Sequence, residues 1–206
     1  MTGESSEYFA QYKARYLARR MGLQFSGRIL DYGCGVGMLS NYMMQTFPQA
    51  TVDGYDISEA SIARVDPGIR AQGTFTSDWS QLGRRYDLVV VTNVMHHVPP
   101  AERQSVITHL GDGLAPNGML IIVEHNPLNP LTRWAVANCA FDDDAILLPT
   151  TEATGYVLLS GLEIVSRDYI VFFPRLLAWL RPLEPHLRWC PAGAQYALVA
   201  SRAAHV

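Results

Sequence analysis

The run YDLVVVTNV, residues 86–94, places four apolar residues, Leu88 to Val91, in succession without a polar interruption. A strand that must be buried on both faces reads this way, and such strands belong to parallel sheets covered by helices on either side. The neighbouring segments supply that covering. AERQSVITHLGDGL (101–114) has helical periodicity, and Pro116-Asn117-Gly118 then turns the chain into a second apolar strand, GMLIIVEH. Upstream, the strand RILDYG leads to a helix, MLSNYMMQTF, stopped by Pro48. A second strand, TVDGYDI, precedes a short helix that starts at Ser58 and is broken by Pro67-Gly68, and GTFTSDW gives a short third strand. Five strands alternating with helices predict a doubly wound α/β sheet.

The ends of the chain depart from this alternation. Residues 4–22 form an amphipathic helix, with Tyr8, Phe9, Tyr12, Tyr16 and Leu17 at helical spacing and Gly22 as its stop. This helix, within residues 1–24, is expected either to close over a ligand as a lid or simply to pack on the sheet. After the fifth strand comes an irregular insert, 126–150, then a helix, TEATGYVLLSG, closed by Gly161. LEIVSRDYIVFF and AQYALVAS read as strands bracketing a Pro-punctuated aromatic segment, 174–191. Two successive strands without a crossover helix pair most easily antiparallel. The expectation is a Rossmann-like, seven-stranded α/β sheet: five parallel strands plus a C-terminal antiparallel hairpin, in one domain spanning 1–206, with both inserts over one end.

Composition excludes several classes. With 206 residues, 49% of them hydrophobic, the chain can bury a substantial core without staples. A net charge of −3 and no basic run longer than Arg19-Arg20 or Arg84-Arg85 argue against nucleic acid as a partner. Cys34, Cys139 and Cys190 are odd in number and widely spaced, which suits a reduced cytoplasm better than a disulfide framework or a zinc site. The first twenty residues are polar where a signal peptide is apolar, and no long apolar run suggests membrane insertion.

The stretch ILDYGCGVG locates the ligand. Asp31 ends the first strand, and Gly33, Gly35 and Gly37 form the turn into the next helix, where a missing Cβ lets a ligand approach the backbone. Asp56, at the end of the second strand, is placed for two ribose hydroxyls, so a nucleotide-like ligand at the carboxyl edge of the sheet is expected. The dinucleotide fingerprint needs a glycine at position 38, which is Met38, and no GKS or GKT follows to hold a triphosphate.

These segments resemble the class I S-adenosylmethionine-dependent methyltransferases. LDYGCGVG is similar to their first motif, GYDIS to their second-strand acid, TSDW to their adenine-flanking segment, and YDLVVVTNVMHHV with LAPNGMLIIVEH to their fourth and fifth strands. The resemblance covers roughly residues 25–125 and implies a seventh strand inserted between the fifth and sixth. It further implies that Asp31 and the turn Gly33, Cys34, Gly35 and Gly37 hold the amino-acid end of the cofactor. Asp56 would take the ribose, Ile57 and Trp79 the adenine faces, Asp78 the adenine amino group and the Asn93 backbone the methionine portion. Trp79 has a second reading as a core aromatic.

A sulfonium carries an already activated methyl group, so the protein must mainly align an acceptor behind it, with S-adenosylhomocysteine as product. A base is required only if the acceptor loses a proton. His125, beside Glu124 at the end of the fifth strand, is the first candidate, and His97 and His96 follow, His97 having first a reading as a residue that packs the loop over the cofactor, as HHV segments do in similar methyltransferases. The acceptor expected is a small, largely apolar or aromatic molecule methylated on oxygen. Carbon or nitrogen acceptors, a lipid-like acceptor, and a non-catalytic cofactor-binding accessory protein stay open. The (N/D)PPY segment of amino-methylating nucleic-acid enzymes is absent; Asn93-Val94-Met95-His96 stands in its place. Asp142-Asp143-Asp144 is expected to be a solvated loop with Asp144 capping the next helix, and no metal site is expected. The large apolar residues of the inserts, among them Trp134, Phe141, Phe172, Phe173, Leu176, Leu177, Trp179, Leu180 and Trp189, line an acceptor pocket or fill core. Peripheral contact of LLAWL with a membrane surface is a further possibility, with Arg175, Arg181 and Arg188 as its basic face.

Overall fold

A computed structural model of the chain describes residues 4–83, 85–139 and 144–202. Strand β1 (Arg28–Tyr32) lies between β2 (Thr51–Tyr55) and β4 (Tyr86–Thr92), with β3 (Phe75–Thr76) beyond β2 and β5 (Leu114–His125) beyond β4. All of these pairings are parallel. Strands β6 (Leu162–Ile170) and β7 (Gln195–Arg202) pair antiparallel, and β7 inserts between β5 and β6, giving the order 3-2-1-4-5-7-6. The sheet is the seven-stranded arrangement expected.

The four-residue apolar run of β4 explains the layering. Val89 and Val91 face Ile107 and Leu110 of α5 (Arg103–Asp112) and Ala153 and Val157 of α7 (Thr150–Leu159). Leu88 and Val90 face Ala14, Tyr16 and Leu17 of α1 (Ser6–Met21) and Leu39 and Met43 of α2 (Met38–Thr46). Each fully buried aliphatic side chain stabilises the fold by about 1.5–3 kcal/mol. Helix α1 packs on the sheet and is latched across it: Tyr16 donates to Asp168 at 2.7 Å, and Arg20 pairs with the same carboxylate. No helix among the described residues is long and apolar enough to cross a membrane.

Local punctuation departs from expectation at four places. Pro67 starts a helix rather than breaking one: α3 (Glu59–Ile62) ends first, and α4 (Pro67–Arg70) begins under Asp66, whose carboxylate accepts from the Gly68 amide. The Asn-Pro pair at 129–130 does the same in the insert expected to be irregular, because Asn129 accepts from the amides of Leu131 and Thr132 and opens α6 (Pro130–Ala137). Pro116-Asn117-Gly118 does not precede the fifth strand but lies inside it, where pairing steps from Tyr86↔Leu114 to Leu88↔Met119 and Asn117 adopts φ 63°. Asp144 does not cap α7, which starts after Pro149; its carboxylate meets His97 instead. Phe141, Asp142 and Asp143 lie outside the described residues.

His125, Gln195 and Ile170 are in register across β5, β7 and β6. Both inserts therefore leave the sheet at the edge that also carries the turn after β1. The segment after β6 is a series of 3-10 turns over Arg175–His186 with Pro182 and Pro185 inside it, an irregular cap.

Candidate functional site

The turn after β1 is built for close approach. Gly33 has φ 77°, and a Cβ there would lie 2.1 Å from Val94 Cγ2, so the residue must be glycine for the ends of β1 and β4 to meet. At Gly35, with φ 56°, a Cβ would meet nothing within 4 Å, so this backbone faces open space. The amides of Gly33 and Cys34 donate to the Tyr55 carbonyl at 2.7 and 3.0 Å, which fixes the turn to the end of β2. The Cys34 side chain is buried in the cluster of Ile62, Val65, Ile69 and Phe75, so any ligand contact of Cys34 falls to its backbone. Gly37 has φ 79° and opens α2.

Asp56 sets the shape of this turn. One of its oxygens accepts from the Gly35 amide at 2.8 Å and the other from the Ser58 amide at 2.9 Å. Each carboxylate oxygen retains acceptor capacity for a ligand hydroxyl. Ile57, next to it, is 86% exposed, an unusual state for isoleucine. Asp78, exposed, accepts from the Ser80 amide and hydroxyl on one oxygen and, at 3.3 Å, from Gln81 on the other; the Ser80 bonds hold its carboxyl below the usual range. The Trp79 ring packs edge-on against Tyr55 and Tyr32 and 4.3 Å from the His109 ring of α5. The ring is half-buried there, and Ile57 is an exposed apolar side chain beside Asp56.

Asp31 is 1% exposed at the end of β1 and accepts from Ser40 Oγ at 2.6 Å. Burial pushes its carboxyl up to about 6, against the lowering effects of the Ser40 hydrogen bond and the Lys13 charge; the nearby Asp56 adds a smaller upward push. Lys13, buried on α1, is brought down to about 8 by burial, opposed by the negative charges of Glu124 and Asp31. Sequence reasoning passed over Lys13. Its signal is a lysine between Phe9 and Leu17, four residues from each, on the apolar stripe of α1.

The three histidines singled out in the sequence converge. The His96 and His97 rings are 4.2 Å apart, and those of His96 and His125 5.1 Å. Glu124, fully buried, organises them: one oxygen accepts from the amides of Val94 and Met95 at 2.9 and 2.7 Å, and the other from His96 Nδ1 at 2.6 Å. Burial pushes the Glu124 carboxyl up, but the His96 hydrogen bond and charge, the His125 charge and the Met95 amide outweigh it and leave it below the usual range. A buried carboxylate only accepts, so His96 Nδ1 carries the proton. His96 is 1% exposed and braces the loop after β4. His97 is more open, with Nδ1 3.0 Å from the Asp144 carboxylate, whose pKa that contact lowers. Nearby, Ala145, Leu147, Trp134, Val136 and Arg133 line a hollow of about 700 Å³.

Asn93 completes the edge. It adopts φ 55°, donates its amide to the Val123 carbonyl and accepts on its side chain from Gln195 Nε2 at 2.9 Å. The remaining Gln195 oxygen is buried with no hydrogen-bond partner among the described residues. An acceptor in want of a donor, two acids and an open glycine backbone fit a ligand with ribose hydroxyls and an ammonium group.

Comparison with known proteins agrees with this geometry. Trans-aconitate 2-methyltransferase of Mycobacterium tuberculosis (strain ATCC 25177 / H37Ra) is 32% identical over 107 residues, 52% of this chain and 40% of that protein. Magnesium-protoporphyrin O-methyltransferase of Synechocystis sp. is 38% identical over 89 residues, 40% of this chain and 38% of that protein. The chain thus spans about two fifths of the length of these relatives. Among solved structures, a SAM dependent methyltransferase from Archaeoglobus fulgidus superposes with a TM-score of 0.74 at 15% identity, covering 96% of this chain and 95% of that one. The match to the methyltransferase domain family runs over residues 5–153, well over half of the sequence, and the chain therefore belongs to that family, in its class I, S-adenosylmethionine-dependent form.

Proposed function

We propose that this chain binds S-adenosylmethionine across the Gly33–Gly37 turn and transfers its methyl group to an oxygen of a small, largely apolar or aromatic acceptor, with His97 as the proton acceptor. The carrying observation is that the open backbone at Gly35 and the His97–Asp144 pair share one edge of the sheet, the latter beside a hollow lined by Trp134, Val136, Leu147 and Arg133. Asp56 is the ribose acceptor in this reading, and Asp31 with the Gln195 oxygen receives the cofactor's ammonium. The cofactor supplies a sulfonium-activated methyl group; the chain holds and orients it, aligns the acceptor and takes a proton where one is lost.

His97 is assigned the base because the Asp144 carboxylate, 3.0 Å from its Nδ1, orients the ring and would stabilise the imidazolium formed on taking a proton. His96 and Glu124 are positioning residues. Relatives named for trans-aconitate and magnesium-protoporphyrin favour a small-molecule acceptor, and the O-methyltransferase name favours oxygen. The test is calorimetric titration with S-adenosylmethionine, S-adenosylhomocysteine and NAD, followed by transfer of labelled methyl to a panel of phenols and carboxylic acids. Micromolar binding of both sulfur ligands, none of NAD, and label on an oxygen support the proposal. No binding by well-folded protein overturns it, and label on carbon or nitrogen overturns the oxygen assignment.

A further inference from the structure

Three of the chain's four tryptophans, Trp134, Trp179 and Trp189, are 55, 74 and 77% exposed. They share the cap with Leu131, Leu176 and Leu183, which are 75, 88 and 50% exposed. These residues come from two separate inserts that are bound into one surface. Asn126 donates to the carbonyls of Pro191 and Gly193, Asn129 to Ala192 and Thr132 to Ala194, so the start of α6 is tied to the segment that follows Trp189. Large apolar side chains exposed together on segments tied in this way mark an interaction site.

The charge around it selects the partner. The chain has a net charge of −3, yet the 174–191 segment carries Arg175, Arg181 and Arg188 against a single acid, Glu184. Glu184 is 4% exposed and consumed internally, accepting from the Phe172 and Phe173 amides and from the Tyr12 hydroxyl. Arg181 is likewise held by Glu4, whereas Arg175 and, on α6, Arg133 are exposed. Of the acids in the first insert, Asp144 meets His97 with its side chain 76% exposed, and Asp142 and Asp143 lie outside the described residues. Tryptophan and leucine standing out beside arginines suit the headgroup boundary of a bilayer, where the indole ring is both apolar and hydrogen-bonding and anionic lipid attracts the arginines. A second copy of the chain fits less well, because a two-fold interface through this surface sets the same arginines against one another.

We propose that the cap formed by α6 and the 174–191 segment docks on an anionic phospholipid surface, bringing the cofactor edge of the sheet to face the bilayer. This goes beyond methyl transfer and is testable without cofactor or acceptor. The probe is co-sedimentation with vesicles of phosphatidylcholine alone or mixed with an equal amount of phosphatidylglycerol. The parent protein is expected to pellet with the mixed vesicles and much less with phosphatidylcholine, and the double substitution Trp179→Ala, Trp189→Ala to weaken that binding about tenfold or more. Arg175→Glu should remove the preference for anionic vesicles, as should high salt. An unchanged circular dichroism spectrum and thermal unfolding midpoint in each variant establish that it is folded. A parent that stays in the supernatant with both vesicle types, or Trp variants that pellet as well as the parent, overturns the proposal. So does a parent that is dimeric in solution, becomes monomeric on the Trp substitutions and ignores vesicles.

Discussion

Binding of S-adenosylmethionine should weaken as the pH falls through about 6, and Asp31 should be the cause. Burial raises the Asp31 carboxyl to about 6. An ammonium group is attracted to the ionised carboxylate only, so below that pH the proton must be removed before the ligand is held. At about pH 5 roughly a tenth of Asp31 is ionised, which makes the apparent Kd about tenfold larger than at pH 7, or about 1.4 kcal/mol. The same raised pKa works the other way for the unliganded fold. Protonation stabilises it, that contribution is fully present below the ordinary carboxylate range, and it is lost as pH rises through about 6. Calorimetric titration at intervals from about pH 5 to pH 7.5, in buffers of differing ionisation heat, measures both the affinity and the proton released. Asp31→Asn should weaken binding near neutrality and flatten the acid limb. Lys13→Met should move that limb to higher pH, because the Lys13 charge lowers the Asp31 pKa. A Kd at pH 5 within twofold of that at pH 7, or an acid limb that survives Asp31→Asn, refutes the reasoning.

Asp56→Ala removes the acceptor for the Gly35 and Ser58 amides together with the proposed ribose contacts. Cofactor affinity should fall by well over tenfold in the same titration, each charged hydrogen bond being worth about 1.5–3 kcal/mol. His97→Gln should lower turnover about 10²- to 10⁴-fold at unchanged cofactor affinity. If His125→Gln does this instead, the base assignment is wrong. Glu124→Ala strands three donors in the interior and should cost about 3–5 kcal/mol in denaturant unfolding; a loss under 1 kcal/mol would contradict the bracing role assigned to it.

The alternation of strands and helices was legible because it rests on local signals, apolar runs such as Leu88–Val91 and turn residues between them. Proline was the least reliable signal, since Pro67 and Pro130 resemble breakers yet begin helices once Asp66 and Asn129 cap them. The glycine turn and its two acids could be read because they are adjacent in the chain or end successive strands. What the sequence hid is long-range. Lys13 meets the field of Asp31 and Glu124 only after α1 folds onto the sheet, and the pairing of His97 with Asp144 joins residues 47 positions apart. Glu124 looked like the companion of His125, its neighbour in sequence, but side chains alternate along a strand and its carboxylate serves His96.

The insertion of β7 between β5 and β6 fixes the order in which the molecule can be completed. Its pairings run from Met119↔Ser201 to His125↔Gln195 on one side and from Leu162↔Arg202 to Ile170↔Gln195 on the other. Until β7 arrives, the apolar edge Leu120–Val123 of β5 has no strand beside it and β6 has no sheet to join. During synthesis the first five strands can assemble while β6 waits, and its capture depends on a segment made last of the seven. Slow, long-range closure of this kind is where folding helpers and aggregation compete. A nascent chain stalled before Gln195 should therefore be held by chaperones, and its release should follow the emergence of β7.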